Sequence, residues 1–382
     1  MISRIIKENI LSTRKSVLLL GPRQVGKSTL IGELHADIEI NLSDEMEFLN
    51  YSSNPELLKE IIAENNPTSI FIDEIQRLPK LLNTIQTIVD KNKKIKFYLT
   101  GSSARKLKRG EANLLPGRMI NFFLGPLVAR ELDYKMNTKK ALEYGTLPEV
   151  YLSEDQKENI RLLKSYAANY IKEEIKAEAI VRNLDSFARF FTESTNAVGQ
   201  FIDYTKLSKQ AKISRHSIPR YFEILEDSLV GFRLLPYQKN NHEVDLIKHP
   251  KFYFFDLGVY NGLLGNFVAS NDRIGVLSEQ LVYNQIMHSA WANESHADIF
   301  SFRERSGIEV DFIVELEGRT HAIEVKTNEN VSSDDLFGLK FFSEKVNLKT
   351  ESLFVWHMGQ KEIKKGNIWI LPWQKGLKEI GL

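Results

Sequence analysis

A multidomain α/β architecture is what this sequence predicts. Short apolar runs alternate with helical stretches from Val17 to Leu124, the pattern of a doubly wound parallel sheet. Helices at packing periodicity then give way to a second set of strands near the C-terminus, and 382 residues exceed what one ordinary core organises. Composition narrows the class: 42% hydrophobic and 26% charged residues exclude wholesale disorder. Lys plus Arg is 51 against Asp plus Glu at 50, which excludes a protein that coats a polyanion and leaves only local basic patches for nucleic acid. The absence of cysteine excludes disulfides and thiolate metal sites. Met1 to Ser12 sets Arg4, Lys7 and Glu8 among apolar residues rather than forming a signal-peptide core, and no apolar run reaches the ~20 residues of a membrane span. A cytoplasmic location and no membrane partner are therefore expected.

The first strand, Val17 to Leu20, feeds directly into GPRQVGKSTL, where Gly21, Gly26, Lys27 and Ser28 satisfy the Walker A spacing. Glycines at the ends of such a loop let successive N–H groups face phosphates, while a lysine reaches the terminal phosphates and a hydroxyl ligates magnesium. The candidate nucleotide contacts are Gly21, Pro22, Arg23, Gln24, Val25, Gly26, Lys27, Ser28 and Thr29, with ATP and Mg2+ as cofactors. A strand-like IEINLSD from Ile38 to Asp44 and a helix from Pro55 to Glu64 follow. Thr68 to Asp73 then reads TSIFID, an apolar strand ending in Asp73 with Glu74 next, which is a Walker B arrangement. Asp73 joins Ser28 as a metal-side residue and Glu74 is the candidate that polarises water, a role hydrolysis needs and simple binding does not. A helix from about Pro79 to Asp90 leads to the strand Ile95 to Gly101, and Ser102 or Thr100 at its end is placed to orient the same water.

Read together, GPRQVGKST, FIDEIQRLP, LTGSSARKL, LPGR, YGTLPEVY, FYFFDLGVYNGLL, DRIGVLSEQLVYNQI and GIEVDFIVELEG resemble the prokaryotic AAA-type P-loop ATPases of the AAA+ superfamily. These are fused to a C-terminal domain of unknown function. The resemblance covers nearly the whole chain. It implies an AAA-type domain over 1–135, a helical connector over 136–200, a winged helix over 201–250 and a restriction-endonuclease-like domain over 251–382. It also implies a homo-oligomer, up to a hexameric ring, in which an arginine at the end of the last helix reaches a neighbour's phosphates. Arg118, in LPGRM, is that candidate, and the alternative is an ordinary loop arginine. The usual lid arginine has no diagnostic spacing here: Arg161, Arg182 and Arg189 are all available.

In the connector, Tyr166 to Ala179 and Leu184 to Val198 read as packing helices. Asp203 caps a short helix through Ala211, Lys212 to Ser214 make a turn, and a second helix to Asp227 starts near Ser217 because Pro219 belongs in a first turn. Strand-like Val230 to Tyr237 completes a helix-turn-helix with a wing. Lys206, Lys209, Lys212, Arg215, His216 and Arg220 cluster there as a candidate surface for DNA phosphates, against the alternative of a winged helix used for protein packing.

Beyond an amphipathic helical pattern from Glu279 to Ala290 and a strand IFSFRE, two strands carry acids. Asp311 lies in GIEVDFIVEL, and HAIEVKT sets Glu324 and Lys326 two apart on one face. With Glu279 they resemble the PD-(D/E)xK nuclease site, in which carboxylates hold a divalent metal and the lysine activates water. The competing reading is a retained fold whose residues form a salt-bridge network. LFVW at Leu353 to Trp356 supplies a further strand, and WILPW at Trp369 to Trp373 reads as a closing strand end in the core. Two functions are consistent with this reading: an ATP-hydrolysing machine acting on branched or single-stranded DNA, and a nucleotide-dependent switch with a silent nuclease-like recognition domain.

Overall fold

Five short strands build the N-terminal sheet: β1 (Ser16–Leu20), β2 (Ile38–Asn41), β3 (Ser69–Asp73), β4 (Lys96–Gly101) and β5 (Met119–Phe123). All pairs are parallel and the spatial order is β2-β3-β4-β1-β5. The computed structural model describes residues 2–102, 117–170, 184–238, 246–345 and 352–382. They fall into two units, one of residues up to Gly125 with Asp227–Leu229 and one of Pro126–Glu226 with Val230–Leu382. In the first, Leu58, Leu82 and Ile85 from the flanking helices close on Leu18, Ile70, Ile72 and Phe97 from the strands. Strands buried on both faces are continuous apolar runs, which is why β1 and β3 were legible. β2 stops at Asn41, earlier than expected, because Asp44 caps a further helix, Glu45–Ser53, accepting from the Met46 and Glu47 amides at 2.9 and 3.0 Å.

The first compact unit ends at Gly125, ten residues before the expected domain boundary at 135. The segment that follows is bonded into the second unit: Gln285 accepts from the Ala129 amide at 2.8 Å and donates to the Leu127 carbonyl at 3.0 Å, and Tyr134 donates to the Leu382 carbonyl at 2.6 Å. The helix Ile274–Asn293, expected to be amphipathic, is buried nearly all round. Its polar residues face carbonyls instead of solvent, Gln280 donating to Phe254 at 3.1 Å and His288 lying 2.8 Å from the Phe255 carbonyl.

In the second unit the helices Tyr204–Ala211 and Ser217–Asp227 form as expected, with Asp203 capping the first and Pro219 in the first turn of the second. The strand after them is part of a larger sheet. β6 (Gly231–Pro236) pairs antiparallel with β7 (Lys251–Phe254) and parallel with β8 (Ala297–Arg303). A border at 250 therefore separates two paired strands. The sheet continues through β9 (Glu309–Leu316), β10 (Arg319–Lys326), β11 (Ser352–His357), β12 (Ile363–Lys365) and β13 (Ile368–Pro372), in the order β12-β13-β11-β10-β9-β8-β6-β7. Trp373 is buried and donates to Thr138 at 3.0 Å, whereas Trp369, expected in the core, is 42% exposed beneath the Lys364 ammonium. Of the expected helix from Tyr166 to Ala179, only Tyr166–Tyr170 is described, as a π turn; the remainder, with Arg182, lies outside the described residues. Among the described residues no helix is long and apolar enough to cross a membrane.

Two motifs distant in sequence turn out to be one knot. Asp256, 1% exposed, accepts from the Thr146 amide at 2.7 Å and the Val259 amide at 3.1 Å. Asn261 donates to the carbonyls of Leu142 and Glu143 at 2.9 and 2.8 Å. Gly258 must be glycine, since a Cβ there would lie 2.0 Å from the Tyr144 carbonyl oxygen. YGTLPEVY and FYFFDLGVYNGLL thus lock the helix Thr138–Tyr144 against Leu257–Leu264. Gly258→Ala is expected to cost about 3 kcal/mol by forcing this backbone apart, read as a lower melting temperature of the full chain; an unchanged melt would remove the knot from the stabilising contacts.

Candidate functional site

The loop of the first unit is shaped by its own backbone and by β5. Gln24 and Gly26 take left-handed φ values of 62° and 92°, the alternation that turns N–H groups inward. A Cβ on Gly21 would sit 2.2 Å from the Leu124 carbonyl oxygen, so glycine is required by close approach of the neighbouring strand. Lys27 is 5% exposed, and its ammonium donates to the Gly21 and Pro22 carbonyls at 2.9 and 2.8 Å. Val25 is buried, while Ser28 and Thr29 are exposed at the start of the helix Lys27–Gly32. Arg4, outside the motif, donates to the Val25 carbonyl at 2.7 Å and the Gly125 carbonyl at 2.8 Å, fixing the loop to the end of the β5 connection.

β4 lies between β1 and β3, with Leu20 beside Gly101 and Ile72 beside Leu99. Asp73 therefore meets Thr100. The Thr100 hydroxyl donates to Asp73 Oδ1, and the Glu74 amide approaches the same oxygen at 3.1 Å and Thr100 Oγ1 at 3.2 Å. Of the two residues expected to polarise this corner, Thr100 touches Asp73 directly and Ser102 is one residue removed. The link to Ser102 is Gln76, which the sequence reading missed. Its amide donates both to Glu74 Oε2 and to Ser102 Oγ, the latter at 3.0 Å. Gln76 is 6% exposed and its Oε1 makes no hydrogen bond among the described residues. Glu74 itself has a left-handed backbone, φ 58°, a conformation that costs energy for a residue with a Cβ and clusters at functional sites. The only sequence signal for Gln76 is its place two residues after Glu74 in a tight 3-10 turn, Ile75–Arg77.

Arg118 lies elsewhere. β5 runs in register with β1 from Ser16 beside Met119 to Leu20 beside Phe123, so Arg118 sits at the amino end of the sheet, where it pairs with Asp90. It is separated from its own P-loop by about 16 Å of strand. Two of the three candidate lid arginines are engaged in the second unit: Arg189 donates to the Ala211 carbonyl at 2.9 Å, and Arg161 approaches Glu158 at 3.4 Å.

On the helix pair of the second unit, Lys206, Lys209, Lys212, Arg215, His216 and Arg220 are all exposed. In the sheet, Asp311 Oδ2 accepts from the Val325 amide at 2.8 Å, and Lys326 pairs with Glu324 at 3.0 Å and Asp335 at 3.2 Å. Burial, with Glu324 and Glu279 nearby, pushes the Asp311 carboxyl well above its ordinary range. Burial likewise raises Glu324, against the pull of Lys326. Burial opposes the charge on Lys326, but Glu324 and Asp335 raise it to about 12. A cation unforeseen from sequence stands among the acids: Lys251, whose Nζ is 2.6 Å from Glu279 and 2.7 Å from Glu309.

Residues 13–133 match a family model described as an AAA domain. Residues 136–270 and 274–375 match two models described as domains of unknown function, DUF8612 and DUF4143. An uncharacterized protein of Mycobacterium tuberculosis is 24% identical over 319 residues, covering 81% of this chain and 70% of its own length. One of Haemophilus influenzae is 23% identical over 282 residues, covering 65% and 69%. A DNA replication initiation factor aligns at 12% identity with a TM-score of 0.24, over 58% of this chain and 84% of its own. The S. cerevisiae Hsp104–ADP complex aligns at 12% with a TM-score of 0.28, over 75% and 42%. At these TM-scores the fold rests on the family match and the strand order, which together support an AAA-type P-loop domain in the first unit. Gly21→Ala is expected to displace β5 or the loop, lowering stability by about 2 kcal/mol and weakening retention of a fluorescent ATP analogue; full retention would show that the close approach to Leu124 does not shape the site.

Proposed function

We propose that the first unit binds magnesium-ATP and hydrolyses it, and that the second unit contacts DNA, in a cytoplasmic homo-oligomer. The observation that carries the hydrolytic reading is the arrival of the P-loop, Thr100 and the Asp73–Glu74 pair at the carboxyl ends of three adjacent parallel strands, where ligands bind in open α/β sheets. The residues fit the cofactor. Lys27 would exchange its carbonyl partners for phosphate oxygens, and Ser28 and Asp73 would hold the magnesium side; among the described residues the Thr100 hydroxyl and the Glu74 amide both bond to Asp73 Oδ1. Magnesium supplies charge neutralisation on the phosphates. Glu74 polarises the attacking water, and Gln76 is a positioning residue that fixes its carboxylate against Ser102. Arg118 fits action on a neighbouring copy, because its place at the far end of the sheet puts it beyond its own site.

The DNA reading is supported by the five exposed lysines and arginines on the helix-turn-helix, with His216 among them, in a chain whose net charge is only +1. A second reading, a nucleotide switch whose nuclease-like domain recognises without cutting, is favoured by Lys251 among the carboxylates.

Lys27→Ala is expected to lose ATP binding, whereas Glu74→Gln keeps it and loses hydrolysis by a factor of at least about 100. Gln76→Ala should lower kcat by roughly tenfold to a hundredfold at unchanged KM. Normal turnover by Glu74→Gln in a phosphate-release assay would sink the assignment. Converting Lys206, Lys209 and Arg215 together to Glu is expected to abolish the gel shift of DNA and any stimulation of turnover by it; undiminished binding would remove this patch from the mechanism.

A further inference from the structure

The nuclease resemblance implies a divalent metal between Asp311 and Glu324, with Glu279 as an accessory acid. The residues present do not fit one. Among the described residues no group of three or more carboxylates and imidazoles is arranged to hold a metal ion. Beside Asp311 and Glu279 stands an ammonium instead. Lys251 opens β7 with its side chain 3% exposed, and its Nζ stands 2.6 Å from Glu279 Oε1, 2.7 Å from Glu309 Oε1 and 3.8 Å from Asp311 Oδ1. The Tyr253 hydroxyl donates to the same Glu279 oxygen. The Phe201 ring covers the ammonium at 5.0 Å and the Arg303 guanidinium at 5.0 Å, and Arg303 in turn approaches Glu309 Oε2 at 3.5 Å.

We infer that the Lys251 ammonium is the resident cation of this cluster, engaging Asp311 and Glu279, two of the acids that the resemblance assigns to a metal, and that the second unit neither binds a divalent ion there nor cleaves phosphodiesters. A buried ammonium persists as a charge only when it is paired and hydrogen-bonded, and three carboxylates from two other elements, the helix Ile274–Asn293 and β9, supply that here. A divalent ion entering the cluster would have to displace a cation already satisfied by its carboxylates. The inference stands independently of ATP hydrolysis by the first unit.

The test is a calorimetric Mn2+ titration and a thermal melt with and without Mn2+, on the full-length protein without nucleotide. Wild type, Asp311→Asn, Lys251→Met and the Lys251→Met/Asp311→Asn double variant are compared. Wild type is expected to show no Mn2+ response that Asp311→Asn removes. Lys251→Met, freed of its internal cation, is expected to gain a Mn2+-dependent rise in melting temperature, lost again in the double variant. Either Mn2+ binding or Mn2+-dependent DNA cleavage by wild type that disappears in Asp311→Asn overturns the inference. So does a folded Lys251→Met protein that gains no response to Mn2+. Should Lys251→Met fail to fold, the comparison of wild type with Asp311→Asn decides alone.

Discussion

The position of β4 governs the first unit. Because it runs between the strand that launches the P-loop and the strand that ends in Asp73, its own end must carry groups that serve both neighbours. The Gly101 carbonyl accepts from the Gly21 amide at 3.2 Å, a Cβ there would lie 3.0 Å from Gln76 Oε1, and Thr100 one residue earlier reaches Asp73. Parallel pairing makes this unavoidable, since strands in parallel register finish at one edge with their last residues side by side. β5 adds the second constraint from the opposite flank. Its Leu124 amide bonds to Leu20 at 2.8 Å and its carbonyl presses on Gly21, so the loop cannot relax toward it.

Legibility in the sequence followed the range of each interaction. The P-loop and the Walker B strand were readable because apolar run, glycine spacing and acidic pair are all local. Thr100 and Ser102 stayed open because the choice depends on the register of β3 on β4, which places Thr100 against Asp73 and leaves Ser102 to Gln76. Gln76 was hidden by the turn it occupies: in a helix a side chain two residues from Glu74 would point to another face, whereas the left-handed backbone at Glu74 and the 3-10 turn after it bring Gln76 round. The helix Ile274–Asn293 was misread as amphipathic because Gln280, Asn284, Gln285 and His288 look solvent-facing in a one-dimensional pattern. Gln280, Gln285 and His288 are buried against carbonyls that belong to other segments, and Asn284 is buried with them. YGTLPEVY and FYFFDLGVYNGLL were noticed as resemblances, but only the fold shows that Asp256 and Thr146 make them one structural device.

Two lysines show how the same side chain takes opposite roles according to its partners. Both Lys27 and Lys251 are buried ammonium groups with short contacts to oxygen. Lys27 donates to the neutral carbonyls of Gly21 and Pro22, whose dipoles attract an ammonium far less than a charged phosphate does. On the proposed function, a polyphosphate at the loop would be the stronger acceptor. Lys251 faces the carboxylates of Glu279 and Glu309, with Asp311 beyond, so it is already paired and needs no incoming anion. The Asp311–Glu324 face resembles a metal centre in sequence because the acids and their spacing are there. The residue that changes its meaning is on β7, at the edge of the sheet, in an aromatic run that marks it only as a strand.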